Sequence, residues 1–290
     1  MELCDFNTIR DILARHGFHF SKSLGQNFLI AQWVPDRIAA ACGAEFSNAV
    51  LEIGPGIGCL TQELAKRAGK VVAVELDKAL FPVMEETLTG FDNIELIQGD
   101  ILKIDISAFC AEKFTGMAVH ACANLPYYIT SPVIAALIES HVFESITIMV
   151  QKEVAERICA SAGTSDYSAF SIFVQYYTEP EILFEVPSDC FVPKPKVDSA
   201  VLRLIPRKQP VVTPRDETLF FSVVRAAFNQ RRKTLVNAAS AAFGGRLDKA
   251  ELLDLVRTVG LDERVRGERL TLQEFAAFSD AAAALLAKKT

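Results

Sequence analysis

Short apolar runs alternate with stretches of helical spacing over the first two thirds of the chain. A-V-L-E-I (49–53), K-V-V-A-V-E (70–75), I-E-L-I-Q (94–98), A-V-H-A-C-A (118–123) and I-T-I-M-V-Q (146–151) have the length and β-branched content of strands. Helical spacing fills the gaps at 59–68, 78–88 and 131–140, and in K-E-V-A-E-R-I-C-A after the fifth strand. Pro82 fits only in the first turn of its helix. Ser131 is expected as an N-cap, with Pro132 at the first helical position. F-S-I-F-V-Q-Y-Y (170–177) and S-A-V-L-R-L-I (199–205) are predicted as late strands. Strand–helix alternation at this spacing implies an α/β fold with a mostly parallel sheet covered on both faces.

The pattern changes after Pro206. Residues 206–214 read as a linker, and every later periodic stretch is helical, punctuated by Gly244-Gly245 and Gly260. Two domains are therefore expected: residues 1–205, and a small all-helical domain over 206–290.

Composition narrows the class. The chain has 290 residues, half of them apolar and 23% charged, which excludes a disordered chain. No run of 18 apolar residues suggests a membrane span, and the N-terminus has no secretory h-region. The seven cysteines (Cys4, Cys42, Cys59, Cys110, Cys122, Cys159 and Cys190) are odd in number and form no C-x-x-C pair. Free thiols in a reducing, cytoplasmic setting are expected, and no metal site; His16 and His19 lack further ligands nearby in sequence. A monomer is expected.

The net charge of −6 first discourages a nucleic-acid partner, but its distribution does not. Residues 1–190 carry 12 Lys and Arg against 25 Asp and Glu; residues 191–245 carry 10 against 3; the remainder carries 8 of each. The positive stretch is either a solvated face or a contact surface for a polyanion.

Candidate chemistry lies at strand ends. E-I-G-P-G-I-G (52–58) joins a strand to a helix, and Gly54, Gly56 and Gly58 allow close approach of backbone to a ligand. Glu75 ends the second strand, where a carboxylate can accept from ribose hydroxyls. Asp100 follows the third, placed to accept from an adenine amine, with Ile101 and Leu102 beside the ring. These features describe an adenosine-shaped slot without choosing between a nicotinamide dinucleotide and S-adenosylmethionine. The fourth strand runs into N-L-P-Y-Y (124–128). The Asn124 amide oxygen and a backbone carbonyl near Leu125-Pro126 could accept from an exocyclic amine, and Tyr127 could stack on the base that carries it. A polar pair, Gln26-Asn27, is unexplained by core packing; capping of a helix near Trp33 is one reading. Phe191, between Pro187 and Pro193, could be a core aromatic.

The series S-L-G-Q-N-F-L (23–29), V-L-E-I-G-P-G-I-G (50–58), V-V-A-V-E-L-D (71–77), G-D-I-L (99–102), N-L-P-Y-Y-I-T-S-P (124–132), M-V-Q-K-E-V-A-E-R-I (149–158), F-V-P-K-P-K-V-D-S-A-V (191–201) and A-F-N-Q-R-R-K-T-L-V-N-A (227–238) resembles the ribosomal RNA adenine N6-dimethyltransferases, specifically the small-subunit branch. The resemblance covers nearly the whole chain. It implies a Rossmann-like methyltransferase domain that uses S-adenosyl-L-methionine. Its cofactor contacts would be Gln26, Asn27, Leu29, Gly54, Gly56, Glu75, Asp100, Ile101 and Asn124. The target adenine would meet Asn124, Leu125, Pro126, Tyr127 and Phe191. The partner would be small-subunit rRNA or an immature small subunit, reached by Lys194, Lys196, Arg203, Arg207, Lys208, Arg225, Arg231, Arg232 and Lys233 across the domain junction. The alternatives are a large-subunit relative conferring antibiotic resistance, or an assembly factor in which methylation is secondary. Few basic residues precede Q-N-F-L: Ser21, Ser23 and Leu24 leave only Lys22.

Overall fold

Asp5 starts the first helix, α1 (Phe6–Arg15), by accepting from the Thr8 N–H at 2.8 Å. The computed structural model describes residues 2–18 and 26–289. His19, Ser21, Lys22, Ser23 and Leu24 lie outside the described residues. Then follow β1 (Phe28–Leu29), α2 (Trp33–Cys42), β2 (Asn48–Ile53), α3 (Cys59–Ala65), β3 (Lys70–Glu75), α4 (Phe81–Thr87), β4 (Ile94–Gln98), α5 (Ile106–Lys113), β5 (Ala118–Asn124), α6 (Thr130–Glu139), β6 (Phe143–Gln151), α7 (Lys152–Cys159), α8 (Ala169–Tyr177), β7 (Thr178–Val186), β8 (Phe191–Val192) and β9 (Ser199–Pro206). The C-terminal helices are α9 (Glu217–Asn229), α10 (Leu235–Ala239), α11 (Lys249–Thr258) and α12 (Leu272–Lys289).

The main sheet has seven strands in the order β4-β3-β2-β5-β6-β9-β7. Strands β4 to β6 are mutually parallel, and β9 runs antiparallel to β6. The central strands are buried nearly end to end, through Val50, Leu51, Val72, Ala73, Ala121 and Ile148. This follows from helices on both faces and explains their unbroken apolar runs. The chain builds outward from β2 through β3 to β4, then returns to place β5 on the other side of β2. That reversal puts a crevice at the carboxyl ends of β2 and β5, where open α/β sheets bind ligands.

Several sequence expectations need correction. Residues 170–177 form α8, not a strand. Ser168 and Ser171 close a capping box at its start, and Ile172 and Tyr176, one turn apart, are buried in the core of the helical unit. The strand missed in that region is β7. Ser131 does not cap α6, which begins at Thr130 after Ile129, with no side-chain cap. The helix expected over 78–88 divides into a 3-10 turn (Lys78–Leu80) and α4, with Pro82 in the first turn.

The chain divides into two units, Met1–Ala155 with Glu179–Pro206, and Glu156–Thr178 with Arg207–Thr290. This differs from a single cut at 205/206, because α8 and the second half of α7 belong with the helical unit. There Tyr176 Oη donates to Glu217 Oε2 at 3.0 Å, joining α8 to α9, and Arg207 N–H donates to the Tyr177 carbonyl at 2.8 Å. Phe220, Phe243, Phe275 and Phe278 fill the core of this unit.

Candidate functional site

The turn after β2 is built by glycine. Gly54, Gly56 and Gly58 all have positive φ, and the Gly54 N–H donates to the Val74 carbonyl at 2.9 Å. Gly58 is crowded as well: at φ +93° an added Cβ would lie 2.7 Å from Leu88 Cδ2, so that side chain would have to shift. At Gly54 a Cβ would meet nothing nearer than Pro126 Cδ at 4.0 Å, so the backbone there borders open space.

One cleft at the sheet's carboxyl edge is lined by Gln26, Asn27, Gly54, Glu75, Asp100, Ile101, Asn124, Leu125, Pro126, Tyr127 and Phe191. These are eleven of the thirteen residues expected from sequence, gathered from five strand ends and the N-terminal segment. Leu29 instead lines a smaller pocket beside the glycine turn, together with Asn27, Gly54, Glu52 and Asn124. Gly56 lines neither, and enters through its N–H, which donates to Glu75 Oε2 at 3.3 Å. Leu102, expected beside the ring, is exposed and outside the cleft lining.

The walls have distinct chemistry. Glu75 is buried, and its other oxygen accepts from the Asp77 N–H at 2.8 Å. Burial pushes its carboxyl pKa up, these two N–H donors oppose the shift, and the nearby Asp77 charge adds to it. Asp100 Oδ1 accepts from the Leu102 N–H at 3.1 Å, and Lys103 Nζ lies 3.7 Å from its other oxygen. Gln26 Nε2 donates to Asp77 Oδ2 at 2.7 Å, so Gln26 does not cap α2. Antiparallel pairing of β1 with β8 sets Leu29 opposite Phe191 and thereby brings the N-terminal segment to the cleft. Phe191 is both buried in the core and part of the lining.

Asn124 ends β5 and lines both pockets. Leu125 is buried, its N–H donating to the Met149 carbonyl at 3.2 Å. Tyr127, Tyr128 and Ile129 form a 3-10 turn. The Tyr127 hydroxyl lies 2.8 Å from Ser199 Oγ, and burial pushes its phenol pKa up.

Sequence reasoning missed Glu52, Asp77 and Ser199. Glu52 is 1% exposed, and burial drives its carboxyl pKa to about 8; the Thr61 hydroxyl beside it counters only in part, and Glu75 adds to the rise. Its Oε2 has no hydrogen-bond partner among the described residues. The available signal was a carboxylate inside the apolar run of a central strand.

The basic residues expected to meet a polyanion are unequal. Lys194 pairs with Asp189, Arg203 with Glu181, and Arg231 with Glu268 and the Ser165 carbonyl. Arg225, on α9, and Arg232 and Lys233 are exposed. Residues 231–233 lie in the turn between α9 and α10.

Residues 17–275 match the family described as ribosomal RNA adenine dimethylase. The ribosomal RNA small subunit methyltransferase A of Bacillus mycoides (strain KBAB4) is 48% identical over 278 residues, 95% of each chain. That of Bacillus anthracis (strain A0248) gives the same values. Among solved structures, a dimethyladenosine transferase from Plasmodium falciparum superposes with a TM-score of 0.71 at 29% identity, over 87% of this chain and 95% of that one. The 23S rRNA methyltransferase ErmE gives 0.66 at 26% identity, over 88% and 98%. The fold is that of a Rossmann-like methyltransferase. The chain belongs to the ribosomal RNA adenine dimethylase family.

Proposed function

We propose that the chain, as a monomer in the cytoplasm, places two methyl groups from S-adenosylmethionine on N6 of adenines in small-subunit rRNA, within an assembling small subunit. The observation that carries this reading is the position of Asn124, which lines both the long cleft and the pocket beside the glycine turn. A residue there touches both a methyl donor and the amine that receives the methyl.

The residues present fit the cofactor. The unpartnered, buried Glu52 oxygen suits an ammonium, and the open backbone at Gly54 suits a closely held methionine half. Glu75 would take the ribose hydroxyls and Asp100 the adenine amine, with Ile101 against the ring. Gln26 and Asn27 would close the cleft from the N-terminal side, Leu29 would border the pocket beside the glycine turn, and Gly56 holds Glu75 in place. When bound, S-adenosylmethionine supplies an already activated sulfonium methyl.

The chain's own contribution is alignment and electrostatics. The lone pair of N6 is delocalised into the purine ring. Acceptors aimed at its N–H bonds favour a more tetrahedral, more nucleophilic nitrogen. Asn124 Oδ1 is one acceptor. A backbone carbonyl at Leu125-Pro126 is the second. Tyr127 stacks on the target base and Phe191 confines its other face. Arg225, Arg232 and Lys233 contact phosphates, which supplies affinity and register but no sequence reading.

Identity of 48% to small-subunit enzymes, against 26% to the 23S enzyme, favours the small-subunit substrate. The test incubates the protein with labelled S-adenosylmethionine and immature small subunits, then identifies nucleosides by mass spectrometry. Dimethyladenosine is expected, and Asn124→Ala abolishes it. A different methylated nucleoside overturns the reading.

A further inference from the structure

Two adjacent tyrosines follow Pro126, and they differ sharply in environment. Tyr127 is anchored through its hydroxyl to Ser199. Tyr128 lines the same cleft but is 54% exposed, with no hydrogen bond or ring contact among the described residues. Successive side chains of a 3-10 turn diverge by about a third of a revolution. The two rings therefore present different faces of the turn, and Tyr128 combines a place in the cleft lining with more than half of its surface exposed. Leu76, also in the cleft lining, is 48% exposed, so the cleft carries apolar surface that the fold itself leaves uncovered.

A target adenine extruded into the cleft stays covalently joined to its neighbours. Extrusion breaks the stacking between them and leaves a flanking base with an uncovered face near the cleft mouth. Resting on the function proposed above, we infer that Tyr128 is a second aromatic platform, which stacks on a nucleobase adjacent in the RNA strand to the adenine held at Asn124. The contact is to a π-face, so it tolerates any base and adds affinity and strand direction rather than sequence reading. Tyr128 is then a substrate-positioning residue, with no part in the cofactor slot.

Tyr128→Ala and Tyr128→Phe are assayed on immature small subunits, with S-adenosylmethionine binding followed by calorimetry. Tyr128→Ala is expected to raise KM for the subunit roughly tenfold, the size of one lost base–aromatic stack. Its kcat and cofactor affinity stay within about twofold of wild type, and Tyr128→Phe keeps the wild-type KM. A KM unchanged in Tyr128→Ala overturns the inference. So does an equal loss in Tyr128→Phe, which would assign the effect to the hydroxyl, or a loss of cofactor affinity in Tyr128→Ala. Failure of the underlying function shows in the wild-type protein as absent dimethyladenosine; failure of this inference shows only in the comparison of variants.

Discussion

The Tyr127 hydroxyl and Ser199 Oγ lie 2.8 Å apart, joining the turn after β5 to the first residue of β9. Ser199 is fully buried and sits opposite Gln151 in the β6–β9 ladder, so it is a rigid post. A ring tethered at its far end holds one plane, which is what stacking on a substrate base requires.

The pair should therefore act as a unit. Tyr127→Phe and Ser199→Ala are each expected to lower kcat about fivefold, the equivalent of one hydrogen bond of about 1 kcal/mol. The double variant should be no worse than either single one. Multiplying effects in this cycle, measured under saturating substrate, would show that the two residues act independently.

Glu52 links the pocket beside the glycine turn to pH. Its folded-state pKa is raised from 4.5 to about 8, chiefly by burial. The folded chain thus holds a proton that the unfolded chain has released between about pH 4.5 and 8, and Glu52 makes stability fall as pH rises through that window. Glu75, also raised by burial, acts in the same direction. Glu52→Gln cannot ionise, so its Tm should exceed that of wild type increasingly from pH 6 to 8. The same carboxyl must ionise to receive an ammonium. Affinity for S-adenosylmethionine should rise toward pH 8 in the wild type and lose that rise in the variant. Thermal unfolding at several pH values, with and without the cofactor, checks both; a Tm gap independent of pH would refute the assignment.

The parallel strands β2 to β6 were legible because burial on both faces leaves unbroken apolar runs between helical stretches. The segment at 170–177 was misread for a physical reason. Its aromatic and β-branched residues favour a strand intrinsically, but the Ser168–Ser171 capping box and the burial of Ile172 and Tyr176 on one helical face override that preference. Strand β7 was missed because Thr-Glu-Pro-Glu opens it with polar residues and Pro180, tolerated at the sheet edge it occupies. At the site, residues at strand ends were found because loop position exposes their chemistry. Ser199 and Asp77 were not, since each acts through a partner distant in sequence.

Gly58 offers a test of the glycine turn with an internal control. Gly43, at φ +74°, would place an added Cβ in open space, so Gly43→Ala should cost about 1 kcal/mol from backbone strain alone. Gly58→Ala meets the same strain and also Leu88 Cδ2 at 2.7 Å and Thr87 Oγ1 at 3.3 Å, adding about 1–3 kcal/mol of overpacking. Denaturant midpoints should rank wild type, Gly43→Ala, then Gly58→Ala. Adding Leu88→Ala to the last should recover part of the overpacking loss. Equal midpoints for the two glycine variants would show that the Leu88 contact relaxes without cost.

The basic stretch divides into residues that hold the fold and residues that can meet RNA. Arg231 donates to Glu268 Oε2 at 3.2 Å and to the Ser165 carbonyl at 2.9 Å, so it ties the turn after α9 to the rest of the helical unit. Arg225, Arg232 and Lys233 are exposed and make no ion pair among the described residues. Replacing these three with Ala should flatten the dependence of RNA affinity on salt. Each phosphate contact on single-stranded RNA contributes a slope of about −0.7 in log K against log salt, so losing three should reduce the slope by about 2. Arg231→Ala should behave oppositely: a slope close to wild type, but a lower Tm, by at most about 1 kcal/mol of stability because the pair is partly solvated. A triple variant that keeps the wild-type slope would move the phosphate contacts to another surface. A lost slope in Arg231→Ala with unchanged Tm would make Arg231 a phosphate ligand that trades Glu268 for RNA.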